Sequence, residues 1–377
     1  MLRTFAVAFA LVVEGARALN AQALPFDAGW RLTGELTRVE EFRGRRALRI
    51  RTGTAVREGV RMLDGTLDFD VMLSPHRSFV YIYTRMQDEN EHEEMYLRSH
   101  KSELPDAVQY SPVWNGDSNW QLYHGPGMTA AVRLPHNEWT HVRVVLRGQR
   151  AALFIGDTLK PALVVRLQRD PMAGHIALGA FVPPGTQPDK EPFAAFANVR
   201  VRPDVTPFDF ATVPERDVSL PEGMITRWQL SGPYAPPRDP AAALSSSTPA
   251  ERVSWKTYAS EPNGVLVIGR HVKRPAPNSA IVARLVIRAE RDTVAPLQLG
   301  FSDIVTVYLT GRALISADAR YSFDAPRQEG LIGLSQATIY LPLRQGENEV
   351  LIHLSDSFGG WGLMGRLVPG YGAAVVR

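Results

Sequence analysis

The 377-residue sequence contains no cysteine, only 5 lysines against 37 arginines, and almost no stretch with the apolar period of a helix. Without cysteine there is no disulfide, no thiolate nucleophile and no thiolate metal site. Small stapled scaffolds are therefore excluded, and stability has to come from large apolar cores. The 42 basic residues barely exceed the 39 acidic ones, for a net charge of +3, and no basic run or arginine-rich helix occurs. A nucleic-acid partner is not implied. There is no P-loop, no His-Glu-x-x-His and no Gly-x-Ser-x-Gly elbow, and the nine histidines lack metal-ligand spacing, so no metal site is expected from them. Gly360-Trp361-Gly362-Leu363-Met364-Gly365 has the letters of a dinucleotide loop, but only 12 residues follow it. A strand-helix-strand unit cannot form there, and a turn and bulge in a late strand is expected instead.

Long hydrophobic runs are missing too, apart from one near the start. Arg3, the apolar residues 4–13 and the small-x-small Ala21-Gln22-Ala23 read as an export signal over residues 1–23, with Leu24 as the new terminus after cleavage. The run is too short for a membrane span of ~20 residues, and no later segment approaches that length. The expectation is an exported protein, periplasmic or extracellular, with no membrane span after cleavage.

What the sequence does contain is short alternating runs between turn residues: ALRIRTG, GTLDFDVML, SFVYIYTRM, EMYLRSH, WTHVRVVLRG, AALFIGD, GHIALGAF and FANVRVRP. Strands at this spacing predict an all-β protein of antiparallel sandwiches. The length suits two domains with sizeable cores. A proline-, aspartate- and valine-rich stretch at 204–223 reads as the linker between a sandwich over 24–203 and a second over 224–377.

The chemically richest stretch is 78–123. With a two-residue period, Val80, Ile82 and Met86 point one way and Tyr81, Tyr83 and Arg85 the other. After a polar turn, His92, Glu94, Tyr96, Arg98 and His100 share a face opposite Met95 and Leu97. A solvated sheet face ordinarily carries Lys, Thr and Glu, whereas clustered Tyr, His and Arg mark interaction surfaces. Gln109, Tyr110, Trp114, Trp120 and Tyr123 flank the loop Asn-Gly-Asp-Ser-Asn and offer ring faces of the kind that lie against sugar hydrogens. Asn115, Asp117 and Asn119 alternate oxygen groups in that loop, so calcium is an option without a full coordination set. Asp68 and Asp70 share a strand face. They lack the third acid that a glycosidase set needs and are expected as ion-paired surface carboxylates.

The order of these strands resembles the concanavalin A-like (laminin G-like) jelly roll over about 28–203. The carrying motifs are DGTLDFDVML, SFVYIYTR, NEWTHVRVVLRGQRAALFIGD, GHIALGAF and FANVRV. Over about 224–377, VTVYLTGRAL followed by YLPLRQGENEVLIHLSD resembles the galactose-binding-like jelly roll. The resemblance implies two jelly rolls in tandem and a carbohydrate partner. The order of Arg85 and Glu94 is similar to the 3-keto-disaccharide hydrolase family. That likeness implies a glycan hydrolase or lyase with Glu94, His92 and His100 as acid and base. Three functions stay open: glycan binding by Tyr81, Tyr83, Arg85, Tyr96, Arg98, Gln109, Tyr110, Trp114, Trp120 and Tyr123; turnover at Glu94; and an adhesion or scaffold role.

Overall fold

The computed structural model describes residues 21–157, 159–184, 194–214, 218–235, 254–322 and 328–376. Its regular secondary structure is almost entirely strand, as the alternation predicts. The export signal expected over 1–23 falls outside the described residues except for its last three. Gln22 and Ala23 pair with Val201 and Arg200, and Leu24 is buried with its amide on Val199.

The first sheet has fourteen strands among the described residues, eleven of them on one hydrogen-bonded path from the strand Leu163–Arg166 to Asp117–Ser118. It closes into two layers because the strand Arg45–Met62 belongs to both. Leu48–Ile50 pairs with Ala194–Phe196, whereas Gly53–Met62 pairs with Gly174–Ala180. At the crossing a side chain on Gly53 would meet the Thr33 carbonyl at 2.1 Å, so only glycine lets the neighbouring strands approach. Leu67, Phe69, Val71, Val142 and Val144 of one layer pack on Val80, Ile82, Met95, Leu97, Ile176 and Leu178 of the other. The alternate residues of each layer face outward.

The expected linker is docked, not free. Phe210 packs on Val145, Ala152 and Phe154, and the Arg150 guanidinium donates to the carbonyls of Phe210 and Val213, each at 2.6 Å. This contact accounts for Val145, which interrupts the alternation of its strand.

Among the described residues the second half builds a seven-stranded and a four-stranded sheet around a core that fully buries Trp228 and Trp361. The glycine-rich stretch forms the strand Gly362–Leu367, paired with Thr293–Ser302. Helix among the described residues is limited to single turns such as Ile268–His271.

The two sandwiches meet along a dry seam. Trp114, Leu122 and Tyr123 of the first pack with Val265, Val267 and Ile332 of the second. Gln121 is fully buried: its Oε1 accepts from the Gly360 amide at 3.0 Å, and its backbone carbonyl accepts from Ile332 at 3.1 Å. A Cβ on Gly360 would lie 2.8 Å from Leu122, so glycine is required for this closeness. Arg274 bridges Asp117 of the first sandwich to Asp356 of the second.

Candidate functional site: a cleft between the two sandwiches

Register builds the site. Tyr81 lies opposite Tyr96, which lies opposite Gln109; Tyr83 lies opposite Glu94, and Phe79 opposite Arg98. All therefore share one outer face of the first sandwich, and second-sandwich residues close over part of it. The result is a cavity of about 720 Å³, within the ~300–1,000 Å³ of ordinary ligand pockets.

Two groups of rings line this cavity. Phe79, Tyr81, Tyr96 and Phe181 contact one another with centroids 5.5 to 6.4 Å apart. Trp120 meets Tyr321 edge-on at 5.4 Å, and Tyr321 meets Phe358 at 5.8 Å. Polar groups sit between the rings. Arg98 donates to Gln109 Oε1 at 2.6 Å, to the Tyr96 hydroxyl at 3.0 Å and to the Asp106 carbonyl at 2.7 Å. Tyr96 donates to the same Gln109 oxygen at 2.8 Å, while the Gln109 amide donates to the carbonyls of Trp120 and Tyr123. Lys101 holds Asp106 at 2.6 Å and Glu329 of the second sandwich at 2.9 Å, and Arg77 donates to the Tyr321 hydroxyl at 2.6 Å.

Burial, with the Glu94 charge adding to it, pushes the hydroxyls of Tyr81 and Tyr83 well above the ordinary tyrosine range. For Tyr96 burial does the same against the opposing Arg98 charge. All three are donors at neutral pH. His100 caps the Phe79 ring edge at 5.3 Å, in a single turn after the strand ends at Arg98. Burial first, then the Arg77 charge, lowers its pKa to about 4, so it is neutral.

Of the sequence-selected residues, Tyr81, Tyr96, Arg98, His100, Gln109 and Trp120 meet in the cleft. The others lie elsewhere. Arg85 takes a left-handed backbone (φ 49°) at a bulge, which reverses the alternation. It turns away from the tyrosines to Leu63, Asp64 and Gly148, and Met86 replaces it beside Tyr83 and Val56. Tyr110 points inward, fully buried, and donates to Glu93 at 2.5 Å; burial raises the pKa of both. Trp114 and Tyr123 belong to the seam, with Arg270 stacked 5.2 Å over Trp114. Tyr83, His92 and Glu94 lie on the right face beyond the cavity wall. Glu94 accepts from Ser118, and its other oxygen is 3.8 Å from His92 Nε2. The calcium candidates serve the seam instead: Asp117 faces Arg274, Asn115 donates to Gly269, and Asn119 donates to Pro112 and Asp117. Among the described residues no group of three or more His, Asp or Glu converges as a metal site. Asp68 and Asp70 are ion-paired as expected, to Arg143, Arg202 and Arg45, with His141 between them, but Asp68 is buried under these partners and not a surface carboxylate.

Sequence reading missed Phe79, which extends the Tyr81 alternation by one step, and Phe181 on the neighbouring strand. It also missed Arg77, Lys101, Asp106, Tyr321, Glu329 and Phe358, which reach the cleft from loops with no periodic signal.

No protein-family model and no curated protein matches the chain. Among solved structures, it is similar to a carbohydrate-binding module, CBM66, from Bacillus subtilis (14% identity, TM-score 0.34, covering 45% of this chain and 93% of that one). It is also similar to a β-glucanase from Bacillus licheniformis (13%, TM-score 0.36, 49% and 98%) and to the galectin LEC-6 from Caenorhabditis elegans (10%, TM-score 0.28, 45% and 95%). Identities this low transfer no residue's role.

Proposed function

We propose that the protein is an exported carbohydrate-binding protein whose glycan lies in the cleft between the two sandwiches. The single observation that carries this reading is the lining of the cleft: seven aromatic rings interleaved with fixed donors and acceptors in one cavity. Ring faces cover the apolar hydrogens of a sugar while edge groups take its hydroxyls. The Arg98–Tyr96–Gln109 cluster is already positioned by its own hydrogen bonds, so little ordering cost remains for binding.

Turnover is the less supported reading. Glu94 and His92 lie outside the cavity wall, and the carboxylates that do line it, Asp106 and Glu329, share the Lys101 ammonium. Export rests on Arg3, the N-terminal apolar run and the Ala21-Gln22-Ala23 site. N-terminal sequencing of envelope material from the native host, starting near Leu24, checks it. A glycan-array screen of the full chain, followed by calorimetry and product analysis on each hit, tests the function. Binding without product is expected, and release of shorter saccharides would replace this reading with the hydrolase.

A further inference from the structure

The two groups of rings differ in origin. Phe79, Tyr81, Tyr96 and Phe181 are presented by the sheet of the first sandwich. Tyr321 and Phe358 come from loops of the second and carry the aromatic wall on from Trp120. The cavity is the space both groups line.

The second wall is rigidly mounted. Asp303 is fully buried, accepts from the amides of Ser357 and Phe358 at 2.7 and 2.8 Å, and meets Gln121 of the first sandwich at 3.4 Å. Phe358 nevertheless stays 45% exposed, an apolar ring held at the cavity rim. Tyr321 is held through its hydroxyl by Arg77.

A lone aromatic platform needs only one apolar face on its ligand. A ring taken between two walls needs two. Pyranoses with every hydroxyl equatorial, the gluco and xylo configurations, carry axial hydrogens on both faces. An axial hydroxyl, at C4 in the galacto series or C2 in the manno series, places a polar group against one wall, where no hydrogen bond replaces lost water. Building on the glycan-binding reading, we propose that the cleft clasps a pyranose between the two aromatic walls and selects all-equatorial sugars, with Tyr321 and Phe358 as the selecting residues.

The test is calorimetry of the full chain with four β-1,4-linked trisaccharides: cellotriose, xylotriose, mannotriose and galactotriose. Cellotriose and xylotriose are expected to bind at least about tenfold tighter than the other two, the scale of one misplaced polar group. In Phe358→Ala and Tyr321→Ala that ratio falls towards one, because the remaining wall tolerates an axial hydroxyl on the far side. Tyr321→Phe keeps the ring, loses the Arg77 hydrogen bond, and retains the ratio. Unchanged urea midpoints confirm that the seam is intact. Equal affinity for all four sugars, or a ratio that survives both alanine variants, overturns the two-wall assignment while leaving glycan binding in place. No binding to any saccharide across an array overturns the underlying reading as well.

Discussion

On one outer face of the first sandwich, Asp68 accepts from Arg143 at 2.6 Å, Arg202 at 3.1 Å and His141 at 3.2 Å, and Asp70 is taken up by Arg45, His141 and Asn198. On the opposite outer face, Tyr81, Tyr96, Arg98 and Gln109 instead set rings around one buried cation and line a cavity of about 720 Å³. Asp68 faces Arg143 across the strand pair and also holds Arg202, and Asp70 holds Arg45, so the face is saturated and offers a ligand little. Rings on the second face cannot neutralise one another and leave surface that the second sandwich half covers. What separates a binding face from a solvated one here is unsatisfied ring area under a roof, not the number of charged residues.

The largest expected effect breaks the polar side of that contrast. Arg98 is buried, and its guanidinium ties together Tyr96, Gln109 and Asp106. Arg98→Ala removes one donor from the Gln109 oxygen, leaving Tyr96, and the donor to the Asp106 carbonyl, while Lys101 still holds the Asp106 carboxylate. It is expected to lower unfolding free energy by about 3 kcal/mol or more, since three hydrogen bonds to a charged group are lost together at ~1.5–3 kcal/mol each, in urea titrations. A loss under ~1 kcal/mol would mean that this cluster is worth no more than a solvent-exposed ion pair.

The roof supplies the next effect. Burial, the largest cause, raises the pKa of Asp356 to about 6 against the pull of Arg274. In the unfolded chain the same carboxyl ionises near 3.8. Between those values the folded state holds the extra proton, so this group's contribution to stability falls as pH rises and the loss is complete above about 6. The amount is on the order of 3 kcal/mol. Comparing wild type with Asp356→Asn by urea titration from pH 4 to pH 7 should show wild type losing ground by that amount. A pH-independent difference would show that Arg274 compensates fully for burial of the carboxylate.

How much of this contrast was legible in the sequence depends on range. The strands and the shared face of Tyr81, Tyr96 and Arg98 follow from a two-residue period, because alternation is a local property. Arg85 was misplaced by a single bulge, which shifts every later residue of the strand to the other face and leaves no mark in the letters. Trp114, Trp120 and Tyr123 look alike in sequence, yet two are seam and one is cleft. That division is made by Val265, Ile332 and Phe358, more than a hundred residues away. The roof residues sit in aperiodic loops, where only tertiary packing assigns a direction.

Trp120 is therefore the sharper probe of the cleft. Its ring lines the cavity and continues the wall formed by Tyr321 and Phe358. Trp120→Ala is expected to weaken binding of the best array hit about 30-fold, or ~2 kcal/mol, as for a central aromatic anchor. Asp68→Asn on the saturated face should leave affinity unchanged. Equal losses from both would erase the contrast between the faces.

The smallest effect is expected at Glu94, and it discriminates most between binding and turnover. Glu94 shares the strand face with Tyr96 but lies beyond the cavity wall, where it accepts from Ser118 beside His92. In Glu94→Gln the amide oxygen still accepts from Ser118, and no ligand contact changes. Affinity should hold within about threefold, less than the ~1 kcal/mol of one neutral hydrogen bond. If the cleft turned over its glycan through this carboxylate, the same variant would keep affinity yet lose product. Calorimetry and product analysis on one preparation therefore separate three outcomes. Unchanged affinity with no product from either protein supports the binding cleft. Product lost only in the variant supports catalysis at Glu94. A tenfold loss of affinity would extend the cleft across the Tyr83–Glu94 pair and move the boundary between ligand-facing and structural residues by one step along both strands.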